Sequence, residues 1–325
     1  MAEPLFSFGI IADVQYADID DAMNYTRTRK RFYRGSAELL RNAARHWRQE
    51  RVQFVVQLGD VIDGQNRWRG ASESALEAVL REFDAIPAPV HHVWGNHEFY
   101  NFNRETLIAS RLNSAPRNAS GSDLIDKDIY AYAFSPAPGF RFVLLDAFDL
   151  SVIGRAKESE KHQRALRTLR ENNHNLHDFN QPPVCAGLGQ RFVQFNGGFS
   201  EEQIQWLEEQ LTQADLSQER VVVFSHLPVL PGAADSICLA WNHDAVLSVL
   251  RSHRCFVCFM AGHDHDGGRS RDSEGSAVDH VTLEGVIETA PHSDAFATVQ
   301  VFEEHMELKG RGRVEDLIIS CPPLS

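Results

Sequence analysis

Five apolar runs in this sequence end in side chains that can hold a cation. They are "ADVQ" with Asp13 and Gln15, "LGDVID" with Asp60 and Asp63, "WGNHEF" with Asn96, His97 and Glu98, "FSHLP" with His226, and "AGHDHDGG" with His263 and His265. A single Asp or His at such a place is an ordinary turn or structural residue. Five endings of the same kind point to a shared metal site instead. The donors are hard oxygens and borderline imidazoles with no thiolate, a set that suits Mn²⁺, Mg²⁺, Fe or Zn²⁺. They are too many for one tetrahedral ion. Two ions about 3.5 to 4 Å apart, bridged by a shared carboxylate, would use them all and would clamp the attacking and leaving oxygens of a displacement at phosphorus.

The elements that must carry these residues alternate between strand and helix. Strand patterns are "FSFGIIAD", "QFVVQLGD", "PVHHVWGN", "FRFVLLDA", "RVVVFSHL", "CFVCFMAGH", "HVTLEGVIETA" and "FATVQVFEEHMEL". Most are near-continuous apolar runs, as strands buried on both faces require. Helical spacing appears over residues 30–50, 73–86 and 243–252, and after Ser200, where Ser200 and Gln203 form a capping-box pattern. The layout is α/β, a sheet sandwiched by helices. In such sheets ligands bind outside the carboxyl ends of the strands, which is where all five polar clusters fall. Residues 113–130 and 154–196 interrupt the order as loop insertions, the second opening with a charged helix at about 157–172. With no linker evident, the chain reads as one domain, residues 1–325.

The order D-x-Q, G-D-x-x-D, G-N-H-E, H, G-H-x-H resembles the calcineurin-like metallophosphoesterases, with Gln15 where histidine is commoner. "FNGGFSEEQIQWLEEQL", "CLAWN", "LEGVIETAP" and "LKGRGRV" extend the resemblance over nearly the whole chain. It implies a β-sandwich flanked by helices, with the dimetal site at the carboxyl ends of strands. It further implies that Asp13, Gln15 and His265 hold one ion, that Asn96, His226 and His263 hold the other, and that Asp60 bridges them. A metal-bridging hydroxide is then the nucleophile, His97 assists the leaving oxygen, and Asp63 holds the His97 imidazole in its tautomer. The amide at Gln15 makes that half-site harder and tilts it towards Mn²⁺ or Mg²⁺ over tightly held Zn²⁺.

Composition narrows the partners. The chain has 325 residues, 43% of them apolar, enough for a large core, and a formal net charge of −13. That charge argues against a grip on nucleic acid or anionic membrane. No run of about 18 apolar residues offers a membrane span, and the N-terminus lacks the basic region and small-residue cleavage site of a secretory signal. Five scattered cysteines suit a reducing compartment, so the chain reads as cytoplasmic; it is expected to act as a monomer. The C-x-x-C pair Cys255 and Cys258 lies in a strand pattern and reads as buried thiols.

The resemblance implies hydrolysis of the diphosphate bond in nucleoside diphosphate-linked compounds, of the ADP-ribose, CDP-choline or CDP-glycerol type, to a nucleoside monophosphate and a phosphomonoester. A cyclic-nucleotide phosphodiesterase or phosphomonoesterase on the same core is the alternative, and a non-catalytic scaffold is more remote because every ligand position is chemically competent. A protein phosphatase would usually carry Arg directly after Asp63, where this chain has Gly64. For the substrate, Tyr25 could stack on a base, Arg27, Arg29 or Arg34 could reach a phosphate, and Cys238 could shape the far pocket. Glu98, Asp264 and Asp266 read as turn or surface carboxylates, Asp146 as structural, and at most one of His91 and His92 can face the site.

Overall fold

The computed structural model describes residues 3–116, 123–125, 128–274, 277–321 and 323. Residues 117–122 and 126–127 of the 113–130 insertion therefore lie outside the described residues. The strands are β1 (Phe6–Ile11), β2 (Ala22–Met23), β3 (Lys30–Arg31), β4 (Phe54–Gln57), β5 (Val90–His92), β6 (Tyr132–Phe134), β7 (Phe140–Leu144), β8 (Arg220–Phe224), β9 (Phe256–Ala261), β10 (Gly268–Arg271), β11 (Asp279–Thr282), β12 (Ala295–Val301), β13 (His305–Gly312) and β14 (Leu317–Ser320). The helices are α1 (Gly35–Glu50), α2 (Gln65–Trp68), α3 (Ser72–Phe83), α4 (Asn96–Asn101), α5 (Arg104–Ala109), α6 (Glu160–Asn172), α7 (Glu201–Ser217) and α8 (His243–Arg251).

Two six-stranded mixed sheets form, in the orders β14-β13-β12-β1-β4-β5 and β10-β11-β9-β8-β7-β6, where the strand pattern alone suggests one sheet between helices. The β-sandwich implied by the resemblance is the architecture observed. The apolar runs do not distinguish the two, because a strand between a helix and a second sheet is as dry on both faces as one between two helices. Rings hold the sheets together: Phe8 stacks on Phe54 with centroids 5.1 Å apart, and Phe142 of the opposite sheet meets Phe8 edge-on at 5.3 Å. A continuous apolar core runs through both sheets and the inner faces of α1, α3, α7 and α8.

The first sheet is parallel at its β5 edge and antiparallel from β1 to β14, and the second is parallel at its centre and antiparallel at both edges. β1 pairs in parallel with β4, and β4 with β5, while β7, β8, β9 and β11 pair in parallel in the other sheet. Parallel pairing is what brings the carboxyl ends, and hence the loops after them, to one rim.

Three local expectations are corrected. The helix expected from residue 30 starts at Gly35, because Lys30 and Arg31 pair with Met23 and Ala22 as a short hairpin. "FATVQVFEEHMEL" is two antiparallel strands, β12 and β13, turning at residues 302–304. "HVTLEGVIETA" leaves its strand after Thr282 and closes as a helical turn, Val286–Glu288. By contrast α7 starts as its sequence predicts, with the Ser200 hydroxyl accepting the Gln203 N–H. Among the described residues, no helix is long and apolar enough to cross a membrane.

Candidate metal centre

The loops leaving β1 and β4 are zipped together before any side chain is considered. The Asp13 N–H bonds the Gly59 carbonyl at 3.2 Å and the Gln15 N–H bonds the Asp60 carbonyl at 2.8 Å. This tight path forces unusual backbone: Asp13, Gln15, Asp60 and His263 have φ of 53°, 43°, 60° and 71°. Such a conformation costs a non-glycine residue roughly 1–3 kcal/mol and clusters at functional sites. Glycines make room for the approach. A β-carbon on Gly95 would lie 2.1 Å from Asp60 Oδ1, and one on Gly59, itself at φ +100°, would lie 2.4 Å from His226 Nδ1.

All seven predicted ligands converge. Asp60 Oδ2 lies 3.1 Å from the Gln15 amide and 3.5 Å from His226 Nε2, so one oxygen faces both halves of the cluster. His265 Nε2 is 2.9 Å from the Gln15 amide and 3.4 Å from Asp13 Oδ1. On the other side His226 Nε2 is 3.2 Å from Asn96 Oδ1 and 3.1 Å from His263 Nδ1. Donor atoms of Asp60, His226 and His263 fall within 4.8 Å of one another.

The far nitrogen of each imidazole decides what its near nitrogen offers. His226 Nδ1 donates to the Leu58 carbonyl at 2.7 Å, His265 Nδ1 to Glu288 Oε1 at 2.9 Å, and His263 Nε2 to Asn196 Oδ1 at 2.8 Å. The Asn196 amide is fixed in this sense, because its nitrogen donates to the carbonyls of Arg191, Ile237 and Leu239. Lone pairs of His226, His263, Asn96 and Asp60 therefore point at one another, an arrangement that demands a proton or a cation between them. Two further buried oxygens, Asp13 Oδ1 and Gln15 Oε1, have no hydrogen-bond partner. A half-turn of the Gln15 amide exchanges its nitrogen and oxygen, so the same position can serve an ion. The donor set fits divalent cations on these grounds.

Electrostatics follow from burial and crowding. Burial opposes ionisation of Asp60, but His226 and then His97 hold its carboxyl well below the usual range. Burial would depress His226 and His265, yet Asp60 lifts the first to about 9, and the neighbouring Asp13 and Glu288 carboxylates lift the second to about 9. Burial, followed by the His226 charge, pushes His263 well down. Two adjacent rings cannot both be charged.

His97 stands beside the cluster, its Nε2 3.9 Å from Asp60 Oδ2. Its Nδ1 accepts the Gly64 N–H at 2.8 Å, while Asp63 Oδ2 is 3.4 Å away. The neutral ring thus carries its proton on Nε2, facing the centre, and it is the Gly64 N–H that fixes this tautomer; Asp63, expected to do so, lies beside Nδ1 without accepting a hydrogen bond from it. Glu98 corrects the turn or surface reading. It is buried, and its carboxylate accepts the backbone N–H groups of Asp60, Val61 and Gly95 at 2.8, 2.8 and 2.6 Å. Burial, then the Asp60 charge, pushes it up to about 8. From the third residue of α4 it reaches back to the N-cap Gly95, half of a capping box, and with glycine there the sequence lacks the Ser or Thr that would mark it.

The other predicted residues scatter. Asp146 is a structural partner of Arg104, at 2.6 and 3.2 Å. Asp264 is buried and accepts the Asp235 N–H at 2.7 Å, whereas Asp266 is exposed and pairs with Arg29 at 2.6 Å. Neither His91 nor His92 reaches the centre; they bond Tyr132 at 3.0 Å and Gln57 at 3.2 Å. Tyr25 is exposed on the β2–β3 hairpin with its hydroxyl bonded to Gln181 of the 154–196 insertion. Arg27 is exposed at the hairpin corner with φ 58°. Arg34 is taken by Asp18 and Asp20 at 2.6 and 2.8 Å. Cys238 is half-buried, and desolvation, then Asp264, Asp235 and Asp13, push its thiol well up.

The model of the calcineurin-like phosphoesterase family matches residues 6–267. The chain belongs to that family. This phosphoesterase is 67% identical over 322 residues to a Danio rerio protein named manganese-dependent ADP-ribose/CDP-alcohol diphosphatase, covering 98% of this chain and 99% of that one. A Homo sapiens protein of the same name is 52% identical over 326 residues, covering 98% and 94%. The crystal structure of a dimetal phosphatase from Danio rerio superposes on the phosphoesterase with a TM-score of 0.95 at 67% identity, covering 98% of this chain and 100% of that one.

Proposed function

We infer that this chain is a metal-dependent phosphohydrolase that cleaves the diphosphate bond of ADP-ribose and CDP-alcohols, releasing a nucleoside monophosphate and a phosphomonoester. The observation that carries the reading is the combination of near full-length identity to diphosphatases of that name and a centre whose buried lone pairs converge. Two divalent ions, Mn²⁺ foremost, are the cofactor. Asp13, Gln15 and His265 would hold one, Asn96, His226 and His263 the other, with Asp60 between. When bound, the ions supply Lewis-acid charge at the phosphate oxygens and an activated water.

The chain's own residues do the rest. His97 presents Nε2–H towards the reacting phosphate, where it donates a hydrogen bond to the leaving oxygen, and the Asp63 carboxylate places negative charge beside the ring. Tyr25 on the hairpin forms a rim with the insertion and offers a face for a base, Arg27 lies next to it for the outer phosphate, and Cys238 borders the side near Asp264. The five thiols are all free, which supports a cytoplasmic setting, and the acidic surface supports a monomer acting on small molecules rather than nucleic acid or membrane. One apolar core through both sheets supports a single-domain unit.

The test is a panel of ADP-ribose, CDP-choline, a cyclic nucleotide and a simple phosphomonoester, each with Mn²⁺ and with Mg²⁺. The diphosphate compounds with Mn²⁺ should give the highest kcat/KM. Preference for the phosphomonoester or cyclic nucleotide would overturn the assignment.

A further inference from the structure

Of the cations on the β2–β3 hairpin and the start of α1, Arg31 stands in a position of its own. Lys30 and Arg34 are paired within the same stretch with Asp21, and with Asp18 and Asp20, and Arg29 pairs with the exposed Asp266 after β9. The Arg31 guanidinium instead turns inward, with Nη1 3.5 Å from Asp63 Oδ2 and Nε 3.5 Å from Glu288 Oε1. Its side chain is 22% exposed and both carboxylates only 4%. The oxygens it meets are particular ones. Glu288 Oε1 is the atom that accepts the His265 Nδ1–H at 2.9 Å, and Asp63 Oδ2 is the atom 3.4 Å from His97 Nδ1. One cation therefore sits behind an imidazole of the metal cluster and behind the imidazole beside it.

We propose that Arg31 is a positioning residue that couples the two imidazoles: through Glu288 it sets the aim of His265 at the metal, and through Asp63 it sets the orientation of His97. The proposal rests on the dimetal phosphohydrolase reading above. Two buried carboxylates in one neighbourhood repel, and a single fork between them offsets that repulsion and holds both in place. The residue after Asp63 is Gly64, so the cation reaches that carboxylate from a separate element, and the Gly64 N–H is left to serve His97 Nδ1. An imidazole backed by a charged carboxylate is a stronger donor than one backed by a neutral acceptor. That compensates a half-site in which Gln15 contributes only an amide.

The experiment compares Arg31→Met, Arg31→Lys and Glu288→Gln with the unmodified protein by Mn²⁺ titration calorimetry and by kcat and KM for ADP-ribose. Arg31→Met should weaken one of the two Mn²⁺ sites by roughly 10- to 100-fold and lower kcat. Arg31→Lys should recover part of this, because an ammonium cannot span both carboxylates. In a Glu288→Gln background, Arg31→Met should cost less Mn²⁺ affinity than it does alone, since both act through one chain of contacts. Unchanged Mn²⁺ affinity in Arg31→Met or, where that variant fails to fold, in Arg31→Lys would overturn the proposal. A rise in KM alone would assign Arg31 to the substrate phosphate instead. The Mn²⁺ titration needs no substrate, so it tests the role of Arg31 even where ADP-ribose proves to be the wrong substrate.

Discussion

Strand β9 has a trio of potential metal ligands at each end, and only one of them is built for an ion. At its carboxyl end His263 joins Asp60 and His226; at its amino end Cys255 joins Asp215 and His253, also with donor atoms within 4.8 Å of one another. The second trio is closed on itself. Asp215 accepts the Cys255 N–H at 2.8 Å and pairs with His253 Nδ1 at 2.7 Å, while the Cys255 thiol donates to the Leu211 carbonyl at 3.4 Å. Burial, then Asp215, pushes that thiol up, so it stays protonated. At the carboxyl end, acceptors face acceptors, buried oxygens lack partners, and the backbone is held in a costly conformation. Residue type and spacing make a cluster; unsatisfied lone pairs held under strain make a site.

The sharpest way to break the contrast is Asp60→Asn, which removes the oxygen facing both halves. Turnover should vanish and bound Mn²⁺ should fall towards zero by metal analysis; an active variant with full metal would refute the shared-carboxylate arrangement. His97→Ala should retain both ions yet lose roughly 10²- to 10⁴-fold in kcat, and a near-normal rate would remove its role at the leaving oxygen. Acidity tests the same centre. His226 and His265, lifted to about 9, carry protons at pH 7 that an ion must displace. Mn²⁺ affinity should therefore rise with pH from 7 and level off above about 9, with protons released on binding; a flat profile in calorimetry would contradict it. The smallest effect belongs to the other trio. His253→Asn should cost about 1 kcal/mol of stability in a denaturant melt and leave Mn²⁺ stoichiometry and turnover unchanged. Loss of a bound metal there would erase the distinction.

The ligands are legible in the sequence because each must be a side chain of restricted chemistry at the end of an apolar run. Their supports are not. Asn196 and Glu288 act on the far nitrogen of an imidazole, a task that asks only for an acceptor, and the Leu58 carbonyl does it with no side chain at all. Nothing in a residue's type announces that role. Arg31 is hidden for the same reason as its hairpin, since strands of two residues with exposed and half-exposed faces leave no periodic trace. Strands are readable as dry segments, but dryness alone does not say whether a helix or a second sheet supplies the cover. Glu98 lies between these cases, because a glutamate at the start of a helix is visible in the sequence, whereas its burial and the N–H groups of a second loop that it gathers are not.

That same Glu98 carboxylate gathers backbone N–H groups from the loop after β4 and the loop after β5. The loops are consequently fastened by the chain itself, and an incoming ion has no polypeptide to order. In a zinc finger, by contrast, removing the ion unfolds the domain. Here a chelator should empty the centre and leave the sandwich standing, ready to be reloaded. Which ion it then carries is settled by the divalent cations in its surroundings, and metal content becomes a property of the medium as much as of the protein.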